Sequence, residues 1–186
     1  MVFKWRSGIY RWLLCLLLTF QSLMAVGGGA AGGAGPSLEQ LTLVYLYNFL
    51  KFTEWPQGDA LNELTLCVSE NAKFGAELGD LAVRTAQNKN VRILRIALGA
   101  DTRICQLLFI DRAEHVLGIR EWLRGTANRP ILLVSDLPGF LDIGGMIMLT
   151  EENNRLQFEV NLDNVKSTGL KLNSQLLKLA REVRGR

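Results

Sequence analysis

Apolar residues recur along residues 38–186 with the periods of helices and short strands. The first pattern places apolar side chains three or four residues apart, which is the spacing of one helical face, and it predicts a helix over residues 38–53. Trp55-Pro56 ends this helix, because a residue before proline avoids helical backbone. Three further helices are predicted: residues 74–83, a helix capped by Asp111 that stops near Gly125, and a last helix capped by Asn173 that runs to Val183.

Short apolar runs between these helices predict strands. Four of them occupy residues 64–68, 91–98, 104–110 and 131–134. Residues 146–149 and 155–160 flank the turn residues Glu152-Asn153-Asn154 and predict an antiparallel hairpin. Because strands alternate with helices, the expected fold is α/β, with a mostly parallel sheet, helices on both faces and an antiparallel hairpin at one edge.

Residues 1–26 have the pattern of a secretory signal peptide. Three basic residues precede an apolar run from Trp12 to Val26, and small residues follow at once. This order is typical of a cleaved leader. The apolar run has 15 residues, whereas a helix that spans a bilayer needs about 20. We therefore expect export and no stable membrane insertion after cleavage. An uncleaved anchor is the alternative.

Residues 27–37 are rich in glycine and alanine. A phosphate-binding loop needs a strand before it and a helix after it, and here the leader precedes it. The stretch is therefore interpreted as a flexible exit linker. Residues 38–186 contain neither an internal repeat nor a second linker, so they are expected to form one domain.

The net charge of +3 comes from the leader. Lys4, Arg6 and Arg11 are three of the 21 basic residues, and the remaining 18 equal the 18 acidic residues, none of which lies in the first 26 positions. A neutral domain lacks the basic surface that binds a phosphate backbone, so nucleic acid is not an expected partner.

Two cysteines remain beyond the leader, Cys67 and Cys105. An even number of cysteines in an exported chain favours a disulfide, because that compartment is oxidising. Two buried free thiols in neighbouring strands are the alternative. The chain has no CxxC, CxxH or HxxxH spacing, so a Cys/His metal site is not expected.

The chain shows no constellation of catalytic residues. His115 is the only histidine and lies in a predicted surface helix, and no GxSxG motif surrounds Ser135. Glu151 and Glu152 are adjacent on a predicted strand and would point to opposite faces. Neither an enzyme nor a cofactor is therefore predicted.

Several longer segments carry a more specific signal. They are Leu46 to Pro56 (LYNFLKFTEWP), Cys67 followed by Phe74-Gly75, Cys105 to Ile110 (CQLLFI), Pro130 to Phe140 (PILLVSDLPGF), Gly144 to Leu149 (GGMIML), Arg155 to Leu162 (RLQFEVNL) and Gly169 to Val183 (GLKLNSQLLKLAREV). Together these segments resemble the YfiR family of exported proteins over residues 41–183.

This resemblance implies a periplasmic repressor that binds the periplasmic domain of an inner-membrane diguanylate cyclase. Inhibition of that enzyme would keep cyclic di-GMP, and hence biofilm formation, low. The family also implies dimerisation and redox control through cysteines. Cys67 and Cys105 match the pair that many members share, whereas this chain lacks the second pair that some members carry nearer the C-terminus.

Two places along the chain are candidate binding sites. Phe140 and Ile143 are apolar residues in a loop with Met146 just after it, and they contact a partner if exposed or pack under the sheet if not. Ser135 and Asp136 end a predicted strand, where α/β folds place ligands. A periplasmic small-molecule-binding module is therefore the alternative function to a repressor. A periplasmic hydrolase is the third candidate function.

Overall fold

A computed structural model describes residues 35–56, 58–153 and 155–185, so the predicted leader lies outside the described residues. The helices are α1 (Leu38–Phe52), α2 (Glu77–Asp80), α3 (Val116–Thr126), α4 (Leu162–Ser167) and α5 (Ser174–Leu179). The strands are β1 (Thr53–Glu54), β2 (Glu63–Ser69), β3 (Thr85–Ala86), β4 (Lys89–Ile96), β5 (Leu107–Ile110), β6 (Leu132–Ser135), β7 (Ile147–Glu152), β8 (Arg155–Asn161), β9 (Lys171–Leu172) and β10 (Glu182–Arg184). No helix in this part of the chain is both long and apolar enough to cross a membrane.

Eight strands form one sheet in the order β10-β8-β7-β6-β5-β2-β4-β3. The five strands from β4 to β7 in this order are mutually parallel, while β3 and β8 run antiparallel to their neighbours β4 and β7. The predicted α/β fold with a mostly parallel sheet is confirmed. The predicted hairpin is β7–β8, and only the three-residue β10 lies beyond it at that edge of the sheet.

Helix α1 is the longest helix described, and its bounds agree with the prediction. Ser37 accepts a hydrogen bond from the backbone N–H of Gln40, whose side chain accepts one from the N–H of Ser37 in return. This capping box satisfies two backbone donors that helix geometry leaves without partners. Leu46, Phe49 and Leu50 of α1 are fully buried, which anchors the helix in the core.

The three central strands β2, β5 and β6 are buried on both faces. All residues of β5 and β6 are buried, as are all of β2 except Glu63. This burial explains why these strands read as continuous apolar runs rather than as alternating patterns. A second, two-stranded sheet pairs β1 with β9.

The helix predicted over residues 74–83 is mostly absent. Only α2 is helical, and the predicted segment contains two glycines, Gly75 before α2 and Gly79 within it. Each glycine costs a helix about 1 kcal/mol relative to alanine. Leu78 and Leu81 are nevertheless buried, so the apolar spacing reflects burial in turns rather than a long helix.

The sequence predicted that Asp111 caps the following helix, but His115 occupies the cap position. Helix α3 begins four residues later than such a cap requires, and the side chain of His115 accepts a hydrogen bond from the N–H of Leu117. Asp111 instead orders the turn between β5 and α3. Its carboxylate accepts hydrogen bonds from the N–H of Ala113 at 2.8 Å and of Lys73 at 3.3 Å.

The last helix is shorter than predicted. Asn173 caps α5 as expected, but α5 ends at Leu179, and residues Glu182–Arg184 form β10 alongside β8. The backbone N–H of Arg181 donates to the carbonyl of Phe158, which starts this pairing. The apolar spacing that includes Val183 therefore continues from a helix into a strand.

Candidate functional site

A disulfide joins Cys67 of β2 to Cys105, which lies two residues before β5. The two Cα atoms are 5.7 Å apart, and the bond links residues 38 positions apart in the chain. Both side chains are buried. The bond therefore ties together two parallel neighbours at the centre of the sheet.

The chain order of the strands creates a crevice between β2 and β5. The chain leaves β2 towards β4 on one side, and it leaves β5 towards β6 on the other. In open α/β sheets, ligands bind outside the carboxyl ends of the strands at such a point of divergence. A cavity of about 150 Å³ lies there, which we call the carboxyl-end cavity; it is lined by Leu38, Glu39, Thr42, Lys73, Phe74, Phe109, Asp111, Arg112, Ala113 and Asp136.

Two of the three acidic residues that line the carboxyl-end cavity, Asp111 and Asp136, already have hydrogen-bond partners. Asp136 accepts hydrogen bonds from the backbone N–H of Arg112 at 2.7 Å and from its guanidinium Nε at 2.6 Å. The hydrogen bond to Asp136 raises the pKa of the Arg112 guanidinium, against the effect of burial. Asp111 holds two backbone donors. An incoming ligand would therefore compete with interactions inside the protein.

Only one of the two predicted ligand residues faces this cavity. Ser135 is fully buried; its hydroxyl donates to the carbonyl of Ile110 at 2.6 Å and accepts from the N–H of Leu137. These contacts leave Ser135 with a structural role in joining β6 to β5. Asp136 lines the cavity, as the position at the end of β6 suggested.

The structure separates the three apolar residues of the β6–β7 loop. Phe140 and Met146 are buried, whereas the side chain of Ile143 is 47% exposed. The expectation that Phe140 and Met146 contact a partner is thus corrected, because both pack inside the domain. The ring of Phe140 fills the space that a side chain at Gly145 would occupy. Ile143 alone of the three lies at the surface.

The β6–β7 loop holds Ile143 in a fixed position. Gly139 and Gly144 bracket the short helical turn Phe140–Ile143 with φ angles of 77° and 111°, a backbone region that favours glycine. The N–H of Gly145 donates to the carbonyl of Phe140 at 2.9 Å. The buried ring of Phe140 therefore anchors the loop to the interior of the domain.

A second cavity, of about 340 Å³, lies at the opposite end of the strands, beside the disulfide. We call it the disulfide cavity; it is lined by Trp55, Pro56, Leu61, Arg103, Cys105, Gln106, Arg129, Pro130 and Ile131. This cavity was not predicted from the sequence. Its residues come from four separate stretches of the chain, and nothing in their local spacing indicates that they converge.

Asp101 and Arg103 form an exposed ion pair near the disulfide cavity. The guanidinium of Arg103 donates to Oδ1 of Asp101 at 3.0 Å and to Oδ2 at 2.7 Å. These hydrogen bonds lower the pKa of Asp101 to about 2. Asp101 is therefore ionised at neutral pH and keeps its ion pair with Arg103.

A buried carboxylate holds the C-terminal strand. The side chain of Glu159 in β8 is 2% exposed and contacts the guanidinium groups of Arg181 and Arg184. Arg184 also bonds to Asp142 at 2.7 Å and to Glu182 at 2.9 Å. This network therefore links β8, β10 and the β6–β7 loop.

No arrangement of these residues suggests catalysis or metal binding. The nitrogen Nδ1 of His115 is occupied as a helix cap. Glu152 contacts Arg181 at 3.4 Å. Within the described ranges, no group of three or more His, Cys, Asp or Glu residues could hold a metal ion.

The chain matches a known protein family over most of the described domain. The family model DUF4154, described as YfiR/HmsC-like, matches residues 39–181. The match runs from the first turn of α1 to the residue before β10. It includes both cysteines of the disulfide and the β6–β7 loop.

Proposed function

Because the chain belongs to the YfiR/HmsC-like family, we propose that it is a periplasmic repressor of a membrane-bound diguanylate cyclase. The family is known for regulating such cyclases from the periplasm, and it is regulatory rather than catalytic. The observation that carries the proposal is the extent of the match, residues 39–181, which is nearly the whole described domain.

Repression would work through preferential binding to one state of the cyclase. A protein that binds the inactive conformation of the sensor domain more tightly than the active one increases the inactive population. To change a ratio of inactive to active enzyme from 1:99 to 99:1, the preference must be about 10⁴-fold. The expected result of this binding is a lower rate of cyclic di-GMP synthesis by the cyclase on the cytoplasmic side of the membrane.

The predicted signal peptide and the disulfide both support a periplasmic location. Residues 1–26 would act as a signal peptide that is removed, and residues 27–37 would then form the mature N-terminal linker. A disulfide between Cys67 and Cys105 is stable in an oxidising compartment such as the periplasm. The mature protein would thus reach the side of the membrane on which the sensor domain lies.

The β6–β7 loop is the proposed contact surface. Ile143 is an exposed apolar side chain on a turn that two glycines and the buried ring of Phe140 hold in place. A rigid apolar side chain loses little conformational freedom on binding, which favours affinity. A specific interface buries about 800 Å² on each partner, so Ile143 would be one anchor within a larger surface.

The test is a pull-down with the periplasmic domain of every membrane diguanylate cyclase that the host encodes. We expect the wild-type protein to retain one of these domains. Replacement of Ile143 by aspartate places a charge in the contact and should weaken retention by about tenfold or more. The measurement is the fraction of the cyclase domain retained at a series of protein concentrations.

The matched control is Val83→Asp, because Val83 is 86% exposed and lies in a different part of the chain. This variant should retain the cyclase domain as well as the wild type does. Failure of a folded wild-type protein to bind any of the cyclase domains would contradict the proposed function. If Ile143→Asp retained the cyclase domain as well as Val83→Asp and the wild type do, Ile143 would not be part of the interface.

The carboxyl-end cavity supports a second candidate, a periplasmic small-molecule-binding module. It lies where α/β folds bind ligands, and Asp136 lines it. Its volume of about 150 Å³ is below the range of about 300–1,000 Å³ typical of ligand sites, so only a small ligand would fit. This candidate predicts that a ligand raises the melting temperature in the absence of any partner protein.

A further inference from the structure

The disulfide cavity has apolar walls that the fold holds in place. The apolar residues of the lining include Trp55, Leu61, Pro130 and Ile131. The indole Nε1–H of Trp55 donates to the backbone carbonyl of Gln106 at 3.1 Å, which fixes the plane of the ring.

Gln106 connects this wall to three strands. Its side-chain oxygen accepts from the N–H of Thr65 in β2 at 2.7 Å. Its carbonyl oxygen also accepts from the N–H of Leu132 in β6, and Gln106 itself directly precedes β5. A cavity with walls fixed in this way loses little conformational freedom when a ligand enters.

The charged residues of the lining are both arginines. Arg103 is bound to Asp101, so its charge is largely compensated. Arg129 donates to the hydroxyl of Thr102 at 3.3 Å and makes no ion pair with any carboxylate in the described part of the chain. Together Arg103, Arg129 and Asp101 carry a net charge of +1, which matches a ligand with one negative charge.

We propose that the disulfide cavity binds a small organic anion that has one negative charge and an apolar body. The guanidinium of Arg129 holds the anionic group, because its planar donors match a carboxylate. The apolar body packs on the walls around Trp55 and Cys105. The cavity volume of about 340 Å³ lies within the range of small-molecule sites.

The test is a titration of ¹⁵N-labelled protein with sodium 2-naphthoate, followed by the Trp55 Nε1–H resonance. Binding in the cavity should shift this resonance in a saturable manner, because the ring forms part of the wall. The neutral isostere 2-naphthamide has the same apolar body without the charge. It should bind about tenfold more weakly or worse, because a charge-assisted hydrogen bond is lost.

Two variants test the role of Arg129. Arg129→Gln should weaken naphthoate binding by about tenfold or more, and Arg129→Lys, which keeps the charge without the planar donors, should lie between it and the wild type. Arg124→Gln is the matched control, since Arg124 is an exposed arginine of α3 that does not line the cavity. It should bind as the wild type does.

Three results would overturn this proposal. They are the absence of a saturable Trp55 shift with naphthoate at millimolar concentration, equal affinity for naphthoate and naphthamide, and full naphthoate affinity in both Arg129 variants. None of these experiments contains a cyclase domain. Their outcome is therefore independent of whether the protein represses a cyclase.

Discussion

The centre of the sheet and its C-terminal edge are held together by different forces. In the centre, β5 and β6 are buried along their whole length, and the disulfide links β2 to the segment before β5. At the edge, β10 has no fully buried residue, and its contact with β8 includes the ion pairs of Glu159 with Arg181 and Arg184.

Because of this difference, the stability of the C-terminal edge should depend on ion pairs and on salt, whereas the stability of the centre should not. Apolar burial and a covalent bond respond little to salt, whereas ion pairs between partly exposed groups are screened. A buried carboxylate such as Glu159 must keep its partners, because an uncompensated buried charge is costly. The C-terminal strand should therefore detach before the central strands unfold.

The largest effect is expected from removal of the disulfide. The double variant Cys67→Ala/Cys105→Ala should lower the free energy of unfolding by up to about 4 kcal/mol, because the unfolded chain is no longer cross-linked. Alanine avoids the buried hydroxyl groups that serine would introduce. Urea unfolding of the oxidised wild type and the variant gives this difference.

The reduced wild-type protein is the control for this prediction, because it has the same side chains without the bond. It should unfold at nearly the same urea concentration as the double variant. An unchanged unfolding midpoint in both would show that the centre of the sheet does not depend on the disulfide.

A smaller and local effect is expected from Glu159→Gln. Glutamine keeps the shape of the side chain but removes the charge that holds Arg181 and Arg184. The amide protons of Val183 and Arg184 should then exchange about tenfold faster or more, because β10 opens without global unfolding. Amide exchange followed by NMR measures this change, and the amides of β5 should keep their wild-type rates.

The smallest effect is expected from Glu182→Gln, which removes an exposed partner of Arg184 and leaves Glu159 unchanged. Exposed ion pairs contribute little, so exchange in β10 should change by about twofold or less. If Glu159→Gln and Glu182→Gln had the same effect, the buried carboxylate would not be what holds this edge.

The same contrast explains which parts of the fold could be predicted from the sequence. The continuous apolar runs of β5 and β6 and the apolar face of α1 are local signals of burial, and all three elements were predicted. The strand β5 begins at Leu107, three residues later than predicted, because Thr102–Ile104 forms a short helical turn. The strand β10 was predicted as helix. It pairs with β8, where Glu159 contacts Arg181 from 22 residues earlier in the chain, and such a distant contact does not appear in a local pattern.

The candidate sites show a similar limit. Asp136 was predicted to lie near a ligand site because strand ends meet at one edge of a sheet, and it lines the carboxyl-end cavity. The exposure of Ile143 but not of Phe140 could not be predicted, because it depends on how the ring packs against Gly145. Arg129 was missed because its neighbours in the cavity come from distant parts of the chain.

The most direct test of the account is the cellular concentration of cyclic di-GMP in the host. Deletion of the gene should raise this concentration, and the wild-type protein or Val83→Asp should restore it. Ile143→Asp should restore it less, at equal amounts of exported protein. An unchanged concentration after deletion, under conditions in which the protein is produced and exported, would contradict the proposal that this protein represses a diguanylate cyclase.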